Sequence, residues 1–138
     1  MTADWQAAID AGDVERPQAL LDQGADIDAL DRYGQSGLML AAMYGRTAVV
    51  DVLVAHGATL DHTAKFNLSA LMLAVINGHV EIVRALVQAG AATELRGSGA
   101  PGFHHKKAID LAATPGHADV LNILRAVPQR RPQPADNV

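Results

Sequence analysis

Apolar residues along the middle of the chain recur in a pattern that returns. Val49, Val50, Leu53 and Val54 stand at three- and four-residue spacing, and so do Ile82, Val83, Leu86 and Val87. Spacing of this kind turns one face of a helix toward a core. The second set lies 33 residues after the first, and the same step carries Ser36 to Ser69, Leu38 to Leu71, Met39 to Met72, Gly45 to Gly78 and Gly57 to Gly90. A fixed period of this length signals a repeat architecture, in which each unit is one small motif that buries its apolar face only against its neighbours.

The register predicts eight helices. A first unit over about residues 3–30 carries helices at Trp5 to Ala11 and Val14 to Asp22, with Gly12 and Gly24 in the same register as Gly45 and Gly57. Asp13 stands where an N-cap accepts backbone N–H groups, and Pro17 falls in a first turn, where a missing N–H costs least. A second unit, about 31–63, begins with the turn Arg32–Gln35 and continues with helices at Ser36 to Tyr44 and Thr47 to His56. The third, about 64–96, has its turn at Lys65–Leu68 and helices at Ser69 to Asn77 and Val80 to Ala89. Asn67 replaces Gly34 there, and asparagine tolerates a left-handed backbone better than other non-glycine residues. In the fourth unit, about 97–127, Ala108 and Gly116 lie 38 residues after Ala70 and Gly78, so five residues are inserted. The insertion falls within 97–105, where Gly, Ser and Pro indicate a loop, and helices follow at Lys107 to Ala113 and Ala118 to Ala126. Leu38, Leu53, Leu71, Leu86 and Leu111 are the expected core. Residues 128–138 have three prolines and no apolar period, and read as a disordered tail.

Composition narrows this picture. The chain has 138 residues, 49% of them hydrophobic and only 4% aromatic, so the packing rests on Ala, Leu, Val and Ile. With no cysteine there is no disulfide framework and no thiolate zinc site. No apolar run approaches the roughly 20 residues of a membrane span, and the N-terminal stretch lacks the pattern of a secretory signal, so a cytoplasmic protein without a membrane partner is expected. The net charge of −4 is unevenly placed. Residues 1–31 hold eight carboxylates against Arg16 alone, and the remainder holds ten basic and seven acidic side chains. Such a field either solvates the first unit or steers a basic partner toward it.

Turn, short helix, Gly, longer helix and Gly-Ala at this period resemble the ankyrin repeat pattern. Ala41-Ala42-Met43-Tyr44-Gly45, Ala74-Val75-Ile76-Asn77-Gly78-His79-Val80-Glu81-Ile82-Val83 and Gly90-Ala91 carry the resemblance, which covers roughly residues 3–127. It implies an all-α solenoid of four helix-turn-helix repeats with projecting β-turns. The family's Thr-Pro-Leu-His tetrapeptide stands here as Ser36-Gly37-Leu38-Met39, Ser69-Ala70-Leu71-Met72 and Lys107-Ala108-Ile109-Asp110. Serine still caps a helix. Methionine in place of the histidine that ties neighbouring turns predicts turns less restrained than the consensus.

The resemblance further implies a non-enzymatic binding module, expected as a monomer, that holds a protein partner of unspecified identity on its concave face. Turn tips and first-helix ends supply the contacts in such proteins. Here they are Arg32, Tyr33, Gln35, Met43 and Tyr44 in the second repeat, Lys65, Phe66, Leu68, Ile76 and Asn77 in the third, and Phe103, His104, Thr114 and Pro115 in the fourth. Four of the five aromatics fall on these positions and only Trp5 takes a core position. Tyr33, Met43, Tyr44, Phe66, Leu68 and Ile76 are accordingly expected to form one exposed patch, extended by Phe103 and His104 on a mobile flap. A dedicated inhibitor or immunity-type protein that blocks a partner enzyme is the alternative. His104, His105, Asp110 and His117 are ligand types for zinc, but the first two lie in the loop and no paired-ligand motif supports them, so no metal or cofactor is expected. No serine has an evident base, so no catalytic residue is named. Arg96, Lys106, Lys107, Arg130 and Arg131 form too modest a basic end, in an acidic chain, for nucleic acid.

Overall fold

A computed structural model describes residues 1–112 and 117–127. Among these residues there are eight α-helices: α1 (Ala3–Ala11), α2 (Glu15–Asp22), α3 (Gly37–Tyr44), α4 (Thr47–Ala55), α5 (Ala70–Ile76), α6 (Val80–Gln88), α7 (Ala108–Leu111) and α8 (Ala118–Arg125). A single 3-10 turn covers Lys65–Asn67. The described residues hold no extended strand, only the isolated antiparallel bridges Leu30–Ser36 and Thr63–Ser69 that close the bases of two turns. The helices lie in pairs. Within a pair α1 packs on α2, α3 on α4, α5 on α6 and α7 on α8. Between pairs the first helices form one row, α1 to α3 to α5 to α7, and the second helices form another, α2 to α4 to α6 to α8.

Local chemistry sets where these helices start and stop. The hydroxyls of Thr2, Ser36 and Ser69 accept from the backbone N–H three residues on, at Trp5, Met39 and Met72, over 3.2–3.3 Å. Each satisfies one of the donors that a helix start leaves bare. Thr2 therefore starts α1 two residues before the apolar pattern does. Lys107 has no oxygen to offer, and the fourth first-helix reverses the device: the Asp110 carboxylate reaches back and accepts from the Lys107 N–H over 2.9 Å. The second helices end alike. Past α4, Gly57 turns left-handed at φ 84° and the Ala58 N–H reaches back to the Leu53 carbonyl over 3.0 Å. A residue with a Cβ would pay for that backbone conformation, which is why glycine closes such helices. The bonds from Ala25 to Leu20 and from Ala91 to Leu86 repeat it one period away on either side.

The core is aliphatic and continuous. Leu38, Leu53, Leu71 and Leu86 are fully buried, with Val49, Val50, Val75, Ile82, Val83 and Val120. Met39 and Met72 are also enclosed, so the methionines that replace the family's histidine serve as filling. Leu111 departs from expectation and is only half-buried. The inward positions of α7 belong to Ala108 and Ala112, and among the described residues no helix pair lies beyond α7 and α8 to cover the outer side. Ala113, Thr114, Pro115 and Gly116, and the tail 128–138, lie outside the described residues.

Leu71 sits in the central pair, covered by neighbours on both sides. Replacing it with alanine is expected to lower the unfolding free energy by about 2–5 kcal/mol. The matching change Leu111→Ala should cost clearly less. Chemical denaturation of both variants checks this, and a loss below about 1 kcal/mol at Leu71 would contradict the packing described.

Candidate interaction surface

The second repeat presents its turn on a scaffold built by one carboxylate. Asp31 Oδ1 accepts from the N–H groups of Tyr33 and Gln35, both over 2.9 Å. Its own N–H donates to the Gln35 carbonyl over 2.8 Å, and Gly34 N–H donates to the Asp31 carbonyl over 3.0 Å. This network fixes the backbone at the tip and throws the Tyr33 ring outward, where it is 65% exposed. The Arg32 guanidinium lies 4.9 Å from the centre of that ring, within the range of a cation–π contact. At the other end of α3, Tyr44 is 52% exposed. It lines a hollow with Asp10 and Arg46.

The third repeat lacks that carboxylate, because Ala64 stands in the place of Asp31. The turn bends differently, with Phe66 at φ 62° and Asn67 at φ 56°. A left-handed backbone at an aromatic residue is unusual and costs energy that surrounding contacts must offset. Those contacts come from the inserted loop. The Ser98 N–H donates to the Phe66 carbonyl over 2.8 Å, and Asn67 Nδ2 donates to the Arg96 carbonyl over 2.8 Å. The Phe66 and Phe103 rings lie 5.4 Å apart, tilted by 39°, in the range of favourable aromatic pairs.

The single exposed patch expected across both central repeats is therefore corrected. Leu68 is 7% exposed and belongs to the core. It follows the tip and leads into the Thr63–Ser69 bridge, which turns it inward. Met43, Phe66, Ile76 and Phe103 are half-buried and pack against the same core. Arg32, Lys65, Asn77 and His104 are exposed, and Gln35 is half-buried. The large apolar side chains left exposed among the described residues are Tyr33, Tyr44 and Leu30. Leu30 is neither a turn-tip nor a first-helix-end position. Its signal is the register: Thr63 and Arg96 hold its place one and two periods on, so a leucine there is out of pattern.

Two further expectations change. The inserted loop is a folded hairpin and not a free flap. Gly97 N–H donates to the Lys106 carbonyl and His105 N–H to the Gly97 carbonyl, both over 2.9 Å, and Arg96 donates to the His105 carbonyl over 2.7 Å. The turns, expected to be loosely restrained, are tied within and across repeats by other residues. His62 Nε2 donates to the Gly34 carbonyl over 2.9 Å, and His79 Nε2 to the Met43 carbonyl over 3.1 Å. Asp28 accepts from both the N–H and the hydroxyl of Thr59 over 2.8 Å, and Asp61, one period later, accepts from the Ala92 N–H over the same distance.

Comparison with known families decides what kind of molecule this is. A family model described as ankyrin repeats (3 copies) matches residues 5–97 and again 57–130, which together cover most of the chain. The chain belongs to the ankyrin repeat family. Ankyrin repeats are generally protein–protein interaction modules, and the family is typically non-enzymatic. No helix among the described residues is long and apolar enough to cross a membrane. Nor do the described residues of this ankyrin chain bring together three or more His, Asp or Glu side chains that could hold a metal ion. The His104 and His105 rings lie with their centres 3.9 Å apart, tilted by 48°.

The hairpin depends on one small residue. A Cβ on Gly97 would stand inside van der Waals contact with the Phe103 carbonyl oxygen, a backbone atom that cannot swing aside. Gly97→Ala should open the hairpin and release the Phe66–Phe103 pair, while the helices remain. Hydrogen exchange at the Ser98 amide should speed up by about tenfold or more, the equivalent of about 1.4 kcal/mol. Unchanged exchange there would show that the loop does not depend on the contact.

Proposed function

We propose that this ankyrin chain binds a protein partner through the turn tip Arg32–Gln35 and the end of α3, with Tyr33 and Tyr44 as the principal contacts. The observation that carries the reading is the exposure of both tyrosines in a fold that hides nearly every other large apolar side chain. Each is large, amphipathic and low in rotamer entropy, the properties that make tyrosine common at binding hot spots. Their supports are firm. The Asp31 network holds the tip that bears Tyr33, and the bond from His79 to the Met43 carbonyl holds the backbone beside Tyr44. A partner thus meets a surface whose backbone is already ordered, and association loses less entropy.

Lys65, Asn77 and His104 extend the surface as polar neighbours toward the C-terminal repeats. Phe66, Phe103, Met43 and Ile76 support it from beneath, and Leu68 takes no part. The concave face and turn tips remain the side of the molecule assigned to the partner.

Tyr44→Ala and Tyr33→Ala are expected to weaken partner affinity by about 2 kcal/mol or more for at least one of the two. The melting temperature should fall by no more than a few degrees, because neither ring is enclosed. Affinity capture followed by titration of the captured partner, with thermal melts of each variant, measures both quantities. Unchanged affinity for both variants would remove the tyrosines from the site.

A further inference from the structure

The turn that carries Tyr33 has a pocket at its base. Its volume is about 120 Å³, and Asp28, Leu30, Ser36, Thr59 and His62 line it. Ser36 is buried and His62 half-buried, whereas Asp28, Leu30 and Thr59 are exposed, so the pocket has an enclosed end and an open rim. Leu30 also lines a groove beside Tyr33, and the two openings share it as a wall.

The hydrogen bonds already made decide what this lining can still offer. Asp28 accepts the Thr59 N–H on Oδ1 and the Thr59 hydroxyl on Oδ2, both over 2.8 Å. A carboxylate has about four acceptor sites, so about two remain. The Thr59 hydroxyl has given its proton to Asp28 and keeps its lone pairs. His62 Nε2 donates to the Gly34 carbonyl over 2.9 Å; the ring proton is therefore on that nitrogen, and Nδ1 is left as an acceptor. Ser36 Oγ accepts from the Met39 N–H and holds the one spare proton. Among the described residues no lysine or arginine lines the pocket. The Met1 ammonium and Arg32 belong to the neighbouring groove. The lining is thus one carboxylate among acceptors, with no cation to balance it.

The repeat pattern separates what the fold needs here from what it does not. One period on, Asp61 keeps the tie to the next repeat through the Ala92 N–H, and Ser69 keeps the helix cap. Yet Thr63, Ala92 and Leu95 stand where Leu30, Thr59 and His62 do. The tie and the cap therefore require neither the hydroxyl, nor the imidazole, nor the leucine. We infer that this pocket seats the ammonium of a lysine on the protein partner. An ammonium is a compact cation with three donors, which suits Asp28, Thr59 and His62. Its aliphatic stem lies on Leu30, as lysine stems cover apolar surface while the head stays among polar groups. At about 30 Å³ per water the pocket has the room of about four waters, enough for the ammonium and the methylenes next to it. This rests on the interaction surface proposed above and adds one chemical requirement on its partner.

The probe is n-butylammonium chloride, titrated into the full chain and followed by backbone amide shifts. Saturable shifts are expected at Leu30, Ser36, Thr59 and His62. n-Butanol, with the same stem and no charge, should give none. Asp28→Asn keeps an acceptor for the Thr59 N–H and removes the charge. It should weaken the ammonium by about tenfold or more, with the melt little changed. Leu30→Ser, at an exposed position, should weaken it too by removing the apolar wall. A peptide Gly-Ser-Lys-Ser-Gly blocked at both ends should compete for the site. The same peptide acetylated on its lysine, which removes the charge, should not. Equal shifts with butanol, or unchanged binding to Asp28→Asn, would overturn the inference. So would stronger, competing shifts from calcium or magnesium chloride, which would give the carboxylate to a metal ion. Binding of butylammonium without binding of the lysine peptide would overturn it in favour of a free amine. A chain that binds neither probe, yet loses affinity for its captured partner on Tyr33→Ala or Tyr44→Ala, would overturn this inference and leave the interaction surface standing.

Discussion

The structure depends on how closely its first helices can approach one another. Helices of seven to nine residues in α1, α3 and α5 cannot hold themselves in water; packing against the next pair must do it. The faces that meet are lined by Gly37, Ala41, Ala42, Ala70, Ala74, Ala108 and Ala112, all buried. Gly37 shows how tight the contact is. A Cβ there would lie 2.5 Å from Ile9 Cδ1 and 3.2 Å from the Trp5 indole nitrogen. Trp5 is the single aromatic in the core, and it is accommodated because Gly37 faces it. Elsewhere a ring would force the helices apart. This constraint moves the tyrosines to the outside, and the phenylalanines to a half-buried contact between a turn and a loop.

What the sequence made legible follows from the same constraint. Spacing of Val49, Val50, Leu53 and Val54, repeated one period on, is a direct imprint of helix burial, so helix order and most of the core could be read. Helix ends were legible to within two residues, because caps such as Thr2 and turns such as Gly57 act locally. The surface was less legible. Leu68 and Tyr33 both belong to turns, yet one is enclosed and the other projects. The difference lies in their place in the turn: Tyr33 stands at a tip, whereas Leu68 holds the place of Gln35, next to the bridge that recurs as Leu30–Ser36 and Thr63–Ser69. The pairing of Phe66 with Phe103 spans an insertion that has no counterpart in the other repeats, so no register could predict it. The ties from Asp28 to Thr59 and from Asp61 to Ala92 were in principle readable, since both ends recur 33 residues apart.

Those ties explain why losing the family's histidine does not leave the turns unattached. The work is spread over several side chains: Asp28, Asp61 and His79 each bond to a backbone group of a neighbouring repeat, and His62 and Asn67 join the two ends of their own repeats. Single exposed hydrogen bonds contribute about 1 kcal/mol or less each, so no one of them decides the fold. Together they set the turns in a fixed order along the stack. The histidine position, freed of this task, is filled by Met39 and Met72, which add apolar contact to the core.

The carboxylates of the first repeat divide by the same reasoning. Asp13, Asp26, Asp28 and Asp31 accept backbone hydrogen bonds that shape turns or join repeats. Asp4 and Glu15 lie in the first turns of α1 and α2, where negative charge favours a helix. Asp10 and Asp22 lie in the last turns of the same two helices. There they oppose the helix dipole and add repulsion to an already negative repeat, with no ion pair among the described residues to offset it. These two charges act against the fold that carries them. Asp10 is also exposed and lines a hollow with Tyr44 and Arg46.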